Sequence, residues 1–295
     1  MKEVTPELQP KWNHTIEKVL AKFIEICNDN HITYFGCGGT GIGAVRHQGW
    51  IPWDDDVDVI MPRPDYDRFI KLMSEQLPED FELITPYNSK TYPLYFAKFC
   101  YRPTTLVEDE RIPFVDGLYI DLFPIDGASE SLEEAQQQKN RFAKLANQLN
   151  AISTHNTFAE YLGLLASPKT WGRFVQKTVA FFFRKTCRKN LLKRMDDISY
   201  HYDYAQCKQV CVHSGSYGIK EIYPKKWIEG TKQFTFEGMD IDLPSGYDAY
   251  LRHYFGDYMQ LPPVEARVSH HLKAYFNLDE REPDAVAIRK SKGAE

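Results

Sequence analysis

Trp53-Asp54-Asp55-Asp56-Val57-Asp58, followed by Val59-Ile60-Met61 and closed by Pro62 and Pro64, is the stretch that decides the fold. Valines interleaved with acids ahead of a proline stop predict a strand from Asp56 to Met61. In an extended chain, residues two apart share a face at a spacing of about 7 Å. Asp54, Asp56 and Asp58 then project together, Val57, Val59 and Met61 turn into a core, and Asp55 faces away from the set. Three carboxylates on one face repel one another unless a cation sits between them. Mg²⁺ (or Mn²⁺) is the expected guest, because it takes a few carboxylates and completes its shell with water and phosphate oxygens. Asp121 joins the candidate ligands: it stands within Tyr119-Ile120-Asp121-Leu122-Phe123, a second predicted strand, where a lone carboxylate needs a partner. A calcium loop is excluded, since the sixth position from Asp54 is Val59 where Gly is required and the twelfth is Asp65 instead of Glu.

Upstream lies Gly36-Cys37-Gly38-Gly39-Thr40-Gly41, which follows the short strand candidate Ile32-Thr33-Tyr34-Phe35. It formally matches GxGxxG, so an NAD-type dinucleotide enzyme is one reading. Only about seven helical residues (41–47) follow before Gly49 and Pro52, too few for an ordinary crossover helix. The alternative use of Gly38, Gly39 and Thr40 is a phosphate cradle, because glycine admits a close approach and N–H groups at a helix start favour anions. Arg46 and His47 follow within reach of the same charge; a surface ion pair for Arg46 and a structural role for His47 remain open.

Working outward, apolar residues at helical spacing predict helices over 12–30 and 65–77. Residues 81–125 are rich in strand patterns, including Phe81–Ile84, Leu94–Phe99 and Leu118–Phe123. The segment 130–205 reads as helical, and a short helix near 246–255 has Ser245 in capping position. The last dozen residues, small and charged, are expected to fray. An α+β fold follows, organised as a single domain over 1–295: a core at 12–127, a helical subdomain at 130–205 and a returning part at 206–275.

The net charge of −5 argues against a general nucleic-acid binder. Six cysteines without a CxxC pair leave no zinc pattern and favour reduced, buried thiols in the cytoplasm. The opening residues lack the apolar run of a signal peptide, and no stretch reaches the roughly 18 apolar residues needed to cross a bilayer.

The run from Gly38 to Asp58 strongly resembles the LicD family, which includes bacterial phosphocholine transferases and resembles the catalytic domains of fukutin and fukutin-related protein. Lys98 with Thr104-Thr105, Tyr119-Ile120-Asp121-Leu122-Phe123-Pro124-Ile125-Asp126-Gly127, Pro244-Ser245-Gly246-Tyr247-Asp248 and Tyr254-Phe255-Gly256-Asp257-Tyr258 extend the likeness. The resemblance implies a nucleotidyltransferase-like mixed sheet flanked by helices, with a helical insertion. It also implies transfer of a phospho-alcohol such as phosphocholine from a CDP-linked donor to a hydroxyl of a cell-surface glycan, lipopolysaccharide or teichoic acid. A nucleotidyltransferase that leaves NMP on the acceptor is the neighbouring alternative. By position, Asp56, Asp58 and Asp121 would be catalytic, and Asp54, Asp56, Asp58 and Asp121 would bind the metal, with Asp121 or Asp58 accepting the hydroxyl proton. Gly38, Gly39, Thr40, Arg46 and Lys98 would bind the donor phosphates. His47, His270 and His271 are candidate substrate contacts. Gly41-Ile42 departs from the two bulky apolar residues of many relatives, and the zinc-binding cysteines of fukutin-related protein have no equivalent.

Between Glu160 and Asp196 there is no acidic residue but there are nine basic ones, interleaved with Trp171, Phe174, Val175 and Phe181-Phe182-Phe183. Two readings stand for 169–194: a helix packed on the core with a solvated basic face, or one docked peripherally on the inner face of the cell membrane, close to a lipid-linked acceptor.

Overall fold

The computed structural model describes residues 4–155, 162–165, 170–268 and 273–293. Helix α1 (Gln9–Asp29) buries Trp12, Ile16, Val19, Leu20, Phe23 and Cys27 along one stripe, as their spacing requires. It lies on a mixed sheet built from β1 (Phe35–Gly36), β2 (Asp58–Pro62), β3 (Phe81–Ile84), β4 (Ala97–Val107), β5 (Asp116–Ala128), β6 (Gln209–Cys211), β7 (Ile222–Pro224) and β10 (Tyr275–Asn277). The order is β1-β2-β5-β4-β10, with β3 added to β4 and β6–β7 continuing from the far end of β5. The pairing of β2 with β5 is parallel, and the other strand pairings are antiparallel. The fold class is α+β, as the sequence predicts.

Alternation divides the sheet into two faces. Val59, Met61, Ala97, Phe99, Ile120 and Leu122 enter the main core under α1 and α3 (Arg63–Glu75). Asp58, Lys98 and Asp121 occupy the opposite face in one row, because Asp58 pairs in register with Asp121 and Asp121 with Lys98. Above that face come α2 (Gly38–Ile42), the π-helical turn Gly43–His47 and α6 (Tyr247–Phe255). Two helices, α4 (Leu132–Ser153) and α5 (Trp171–Ser199), bury Phe142, Leu145 and Leu149 against Leu191, Leu192 and Met195. A hairpin, β8 (Thr231–Phe236) with β9 (Met239–Pro244), turns through Glu237 and Gly238 at positive φ, the backbone of a primed two-residue turn.

Three local expectations are corrected. Strand β2 begins at Asp58 and not at Asp56, because Asp54 N–H turns back onto the Ile51 carbonyl (2.9 Å) and the Trp12 indole holds the Asp55 carbonyl (2.8 Å). Ser245 does not cap α6: its hydroxyl bonds the Glu229 carbonyl, and Gly246 stands at the N-cap. The charged C-terminal stretch contains α7 (Asp284–Ser291), ordered by Ala287 packing among Val107, Val115 and Ala274 and by a 3.0 Å ion pair from Lys290 to Glu282.

Candidate functional site

The site starts from the glycine turn. Cys37 N–H donates to the Asp58 carbonyl (3.1 Å), and the Thr40 hydroxyl accepts from Asp58 N–H (2.9 Å), so the turn grips the first residue of β2. Gly38 sits at φ +54°, where glycine is free of the steric penalty that side chains meet. At Gly39 a Cβ would stand 2.1 Å from Asp54 Oδ2. The two glycines therefore admit carboxylates to the backbone.

Asp54, Asp56 and Asp58 all face a cleft of about 780 Å³. Because 54–57 is irregular backbone and not a strand, Asp55 does not simply alternate away: carboxylate oxygens of Asp54, Asp55 and Asp56 lie within 4.8 Å of one another. Asp58 is pushed well above the usual carboxylate range by burial and by Asp56, Asp121 and Asp54. Asp121 is pushed up to about 8, again by burial first, with Glu108, Asp56 and Asp116 adding and Lys98 opposing. Its Oδ1 is buried without a hydrogen-bond partner among the described residues. Crowded acids and an orphaned acceptor are the conditions that a divalent cation relieves, so the donor set fits Mg²⁺.

The sequence-predicted basic residues are placed differently. Lys98 is fully buried behind the row of acids, 2.7 Å from Glu108 and 3.3 Å from Asp116, with its ammonium 3.4 Å from the Tyr119 ring centre. Burial alone would depress it, but those acids hold it firmly charged, and Lys98, with Lys273, in turn draws Glu108 down to about 2 against its own burial. Arg46 donates to the Tyr258 and Gln260 carbonyls and, at 2.9 Å, to His47 Nε2. Arg46, His47, Lys98 and Thr40 do not line the cleft, and neither does Asp121. His270 and His271 lie outside the described residues.

What the sequence did not single out is the opposite wall. Glu221 is 3% exposed and still borders the cleft. It accepts from the Tyr254 hydroxyl (2.7 Å) and from Tyr217 N–H (3.0 Å), and a Cβ on Gly215 would stand 2.0 Å from its Oε1. Burial raises its pKa. Around it stand Tyr217, Tyr250, Tyr254 and Phe255, with Phe96 and Phe123 across the sheet face. The loop that carries this wall is pinned from beneath by Lys139, whose ammonium donates to the carbonyls of Val212 (3.2 Å), His213 (2.7 Å) and Gly215 (2.6 Å). Only the crowding of aromatics in the composition pointed this way. Among the described lining residues there are four carboxylates and no Lys, Arg or His.

The family described as LicD/FKTN/FKRP, nucleotidyltransferase domain, matches residues 31–161, the segment that carries β1, the glycine turn, the acids and β5. The chain is 28% identical to the lipopolysaccharide cholinephosphotransferase LicD of Haemophilus influenzae over 265 residues, covering 88% of this chain and 94% of that protein. Two uncharacterized rickettsial proteins match shorter parts: RT0683 of Rickettsia typhi at 29% over 115 residues (25% of this chain, 36% of its own), and RP689 of Rickettsia prowazekii at 54% over 35 (12% and 13%). Residues 31–161 thus match a LicD-type nucleotidyltransferase domain lying across the acid row, and the likeness to the cholinephosphotransferase runs nearly end to end.

Proposed function

We propose that this protein transfers phosphocholine from a CDP-linked donor to a hydroxyl of a cell-surface glycan, with a divalent cation at the acid row. The observation that carries the reading is the charge of the cleft: three aspartates on one wall, a buried glutamate among rings on the other, and no basic side chain among the described lining residues. A diphosphate donor enters such a cleft only if positive charge comes with it. Asp54, Asp56 and Asp58, backed by Asp121, would hold Mg²⁺, which supplies electrostatic stabilisation to the donor phosphates and the departing nucleotide. This assigns to the cation the neutralising role that Arg46 and Lys98 cannot fill from their observed places. A trimethylammonium head suits the other wall, since ring faces attract such cations by about 0.5–2 kcal/mol each and the Glu221 carboxylate stands among those rings.

In the reaction, the glycan oxygen bonds to the choline-bearing phosphorus, the anhydride bond breaks and CMP leaves. The hydroxyl proton passes to a carboxylate; of Asp58 and Asp121, Asp58 is the one that opens onto the cleft. Gly38 and Gly39, which line the cleft beside the acids, would receive the donor phosphates. The test is incubation with CDP-choline, CDP-ribitol or CDP-glycerol, Mg²⁺ and acceptor glycan. CMP release from CDP-choline, with the phosphocholine mass added to the glycan, is expected. A glycan carrying a nucleotide would assign the neighbouring nucleotidyl transfer instead, and no CMP from any donor would sink the proposal.

A further inference from the structure

Helix α5 is two helices in one. The backbone breaks at Phe183 (φ −116°, ψ 23°). After the break, Leu191, Leu192 and Met195 are buried against α4. Before it, none of the residues whose side chains are described enters a buried cluster. At 100° per residue Trp171, Val175 and Phe182 fall within about 40° of one another, and they are 55%, 59% and 73% exposed. Leu162 and Leu165, also exposed, sit beside the helix start, because the Trp171 indole donates to the Leu165 carbonyl (3.2 Å) and Thr170 Oγ1 to the Leu164 carbonyl (2.7 Å). A patch of this composition is unusual on a surface that faces only water.

We infer that this half of α5 is an interfacial membrane anchor, laid in the plane of a bilayer that carries anionic lipid. Three observations select that occupant. No helix among the described residues is long and apolar enough to cross a membrane, so the contact is with the interface and not through it. The apolar face is embedded in a stretch with nine basic residues and no acid, within a chain of net charge −5. Arg188 is committed to the Pro86 carbonyl and Lys193 to Asp197, but Lys185 and Lys189 stay exposed at the same end as Phe182. A second copy docking by the same patch would set one basic stretch against another, whereas an anionic surface gains about 1 kcal/mol for each basic residue brought to it. Rings and basic groups together are the recognised composition of an interfacial helix.

The test is co-sedimentation of the full chain with phosphatidylcholine vesicles and with vesicles that also contain phosphatidylglycerol. Binding to the mixed vesicles alone, weakened by high salt, is expected. Val175→Glu and Phe182→Glu, both surface changes, should each reduce the bound fraction about tenfold while CMP release in solution is unaltered. The tryptophan emission should shift to the blue on mixed vesicles, and Trp171→Phe should remove that shift. Failure to sediment at low salt, equal binding to both vesicle types, or a dimer in light scattering that Phe182→Glu dissolves would each overturn the inference. None of those outcomes bears on the cleft chemistry, so this inference and the proposed function fail separately.

Discussion

The two walls of the cleft are built by opposite means. The acid wall is local: Gly38 to Asp58 supply three of its carboxylates, and a single parallel strand pair adds Asp121 behind them. The aromatic wall is assembled from afar, with Glu221 fixed by Tyr217 and Tyr254 and its loop held by a lysine on α4 more than seventy residues earlier. The acid wall crowds carboxylates together, and their mutual repulsion raises Asp58. On the aromatic wall the Glu221 carboxylate is already held by the Tyr254 hydroxyl and Tyr217 N–H. Reaction and recognition are thereby separable, and changes on each wall should show different kinetic signatures.

The largest effect is expected from Asp58→Asn, which takes one charge from the acid wall without changing its shape. Turnover should fall on the order of a thousandfold or more, as when a transition-state electrostatic group is lost, while choline-donor binding measured by calorimetry stays within a few-fold. Retained turnover would end the assignment of the acid wall to chemistry. Equal loss of binding would show that the two walls do not act apart.

Lys139→Met probes the support of the other wall. It leaves three carbonyls of the 212–215 loop without their buried donor, at a cost of about 3 kcal/mol measurable by denaturant unfolding. In a background that still folds, KM for the donor should rise more than kcat falls. A variant of unchanged stability would mean that the loop holds itself.

The same loop should respond to pH. His213 is buried, stacked on Phe142, and pushed down to about 3 by burial, with Lys139 and Arg63 adding. A histidine whose folded value lies below its unfolded one, near 6.5, binds its proton more readily once unfolded. Stability from this group is therefore complete above pH 6.5 and is lost as pH falls toward 3, by about 2 kcal/mol between pH 7 and 5. His213→Asn should flatten that part of the stability profile, and an unchanged slope would assign the acid sensitivity elsewhere.

The contrast between the walls also explains what could be read from the sequence. Strand alternation placed Val59 and Met61 in the core, and the composition of Tyr119–Phe123 marked Asp121, because both signals sit within a few residues. The register that sets Asp58 beside Asp121 has no local signal, and the irregular backbone that brings Asp55 toward Asp54 and Asp56 depends on the Trp12 indole of α1. The resemblance places Lys98 among the donor phosphates; its anions are instead Glu108, just past the end of its own strand, and Asp116 on β5. Glu221 lies between Lys220 and Ile222 with no periodic or motif context, so only its long-range partners Tyr254 and Gly215 reveal it.

Glu221→Gln is the smallest change and the sharpest for the comparison. Glutamine keeps the shape and an acceptor for Tyr217 N–H and the Tyr254 hydroxyl, so the wall stays standing. What is lost is one negative charge beside the rings. If the aromatic wall recognises a trimethylammonium head, KM for CDP-choline should rise about tenfold, equivalent to about 1.4 kcal/mol, with kcat little altered. A donor with an uncharged head such as CDP-glycerol, which has no cation to place there, should lose nothing. Equal effects on both donors would mean that Glu221 acts through the shape of its loop, and the choline head would then have to be sought on another surface of the cleft.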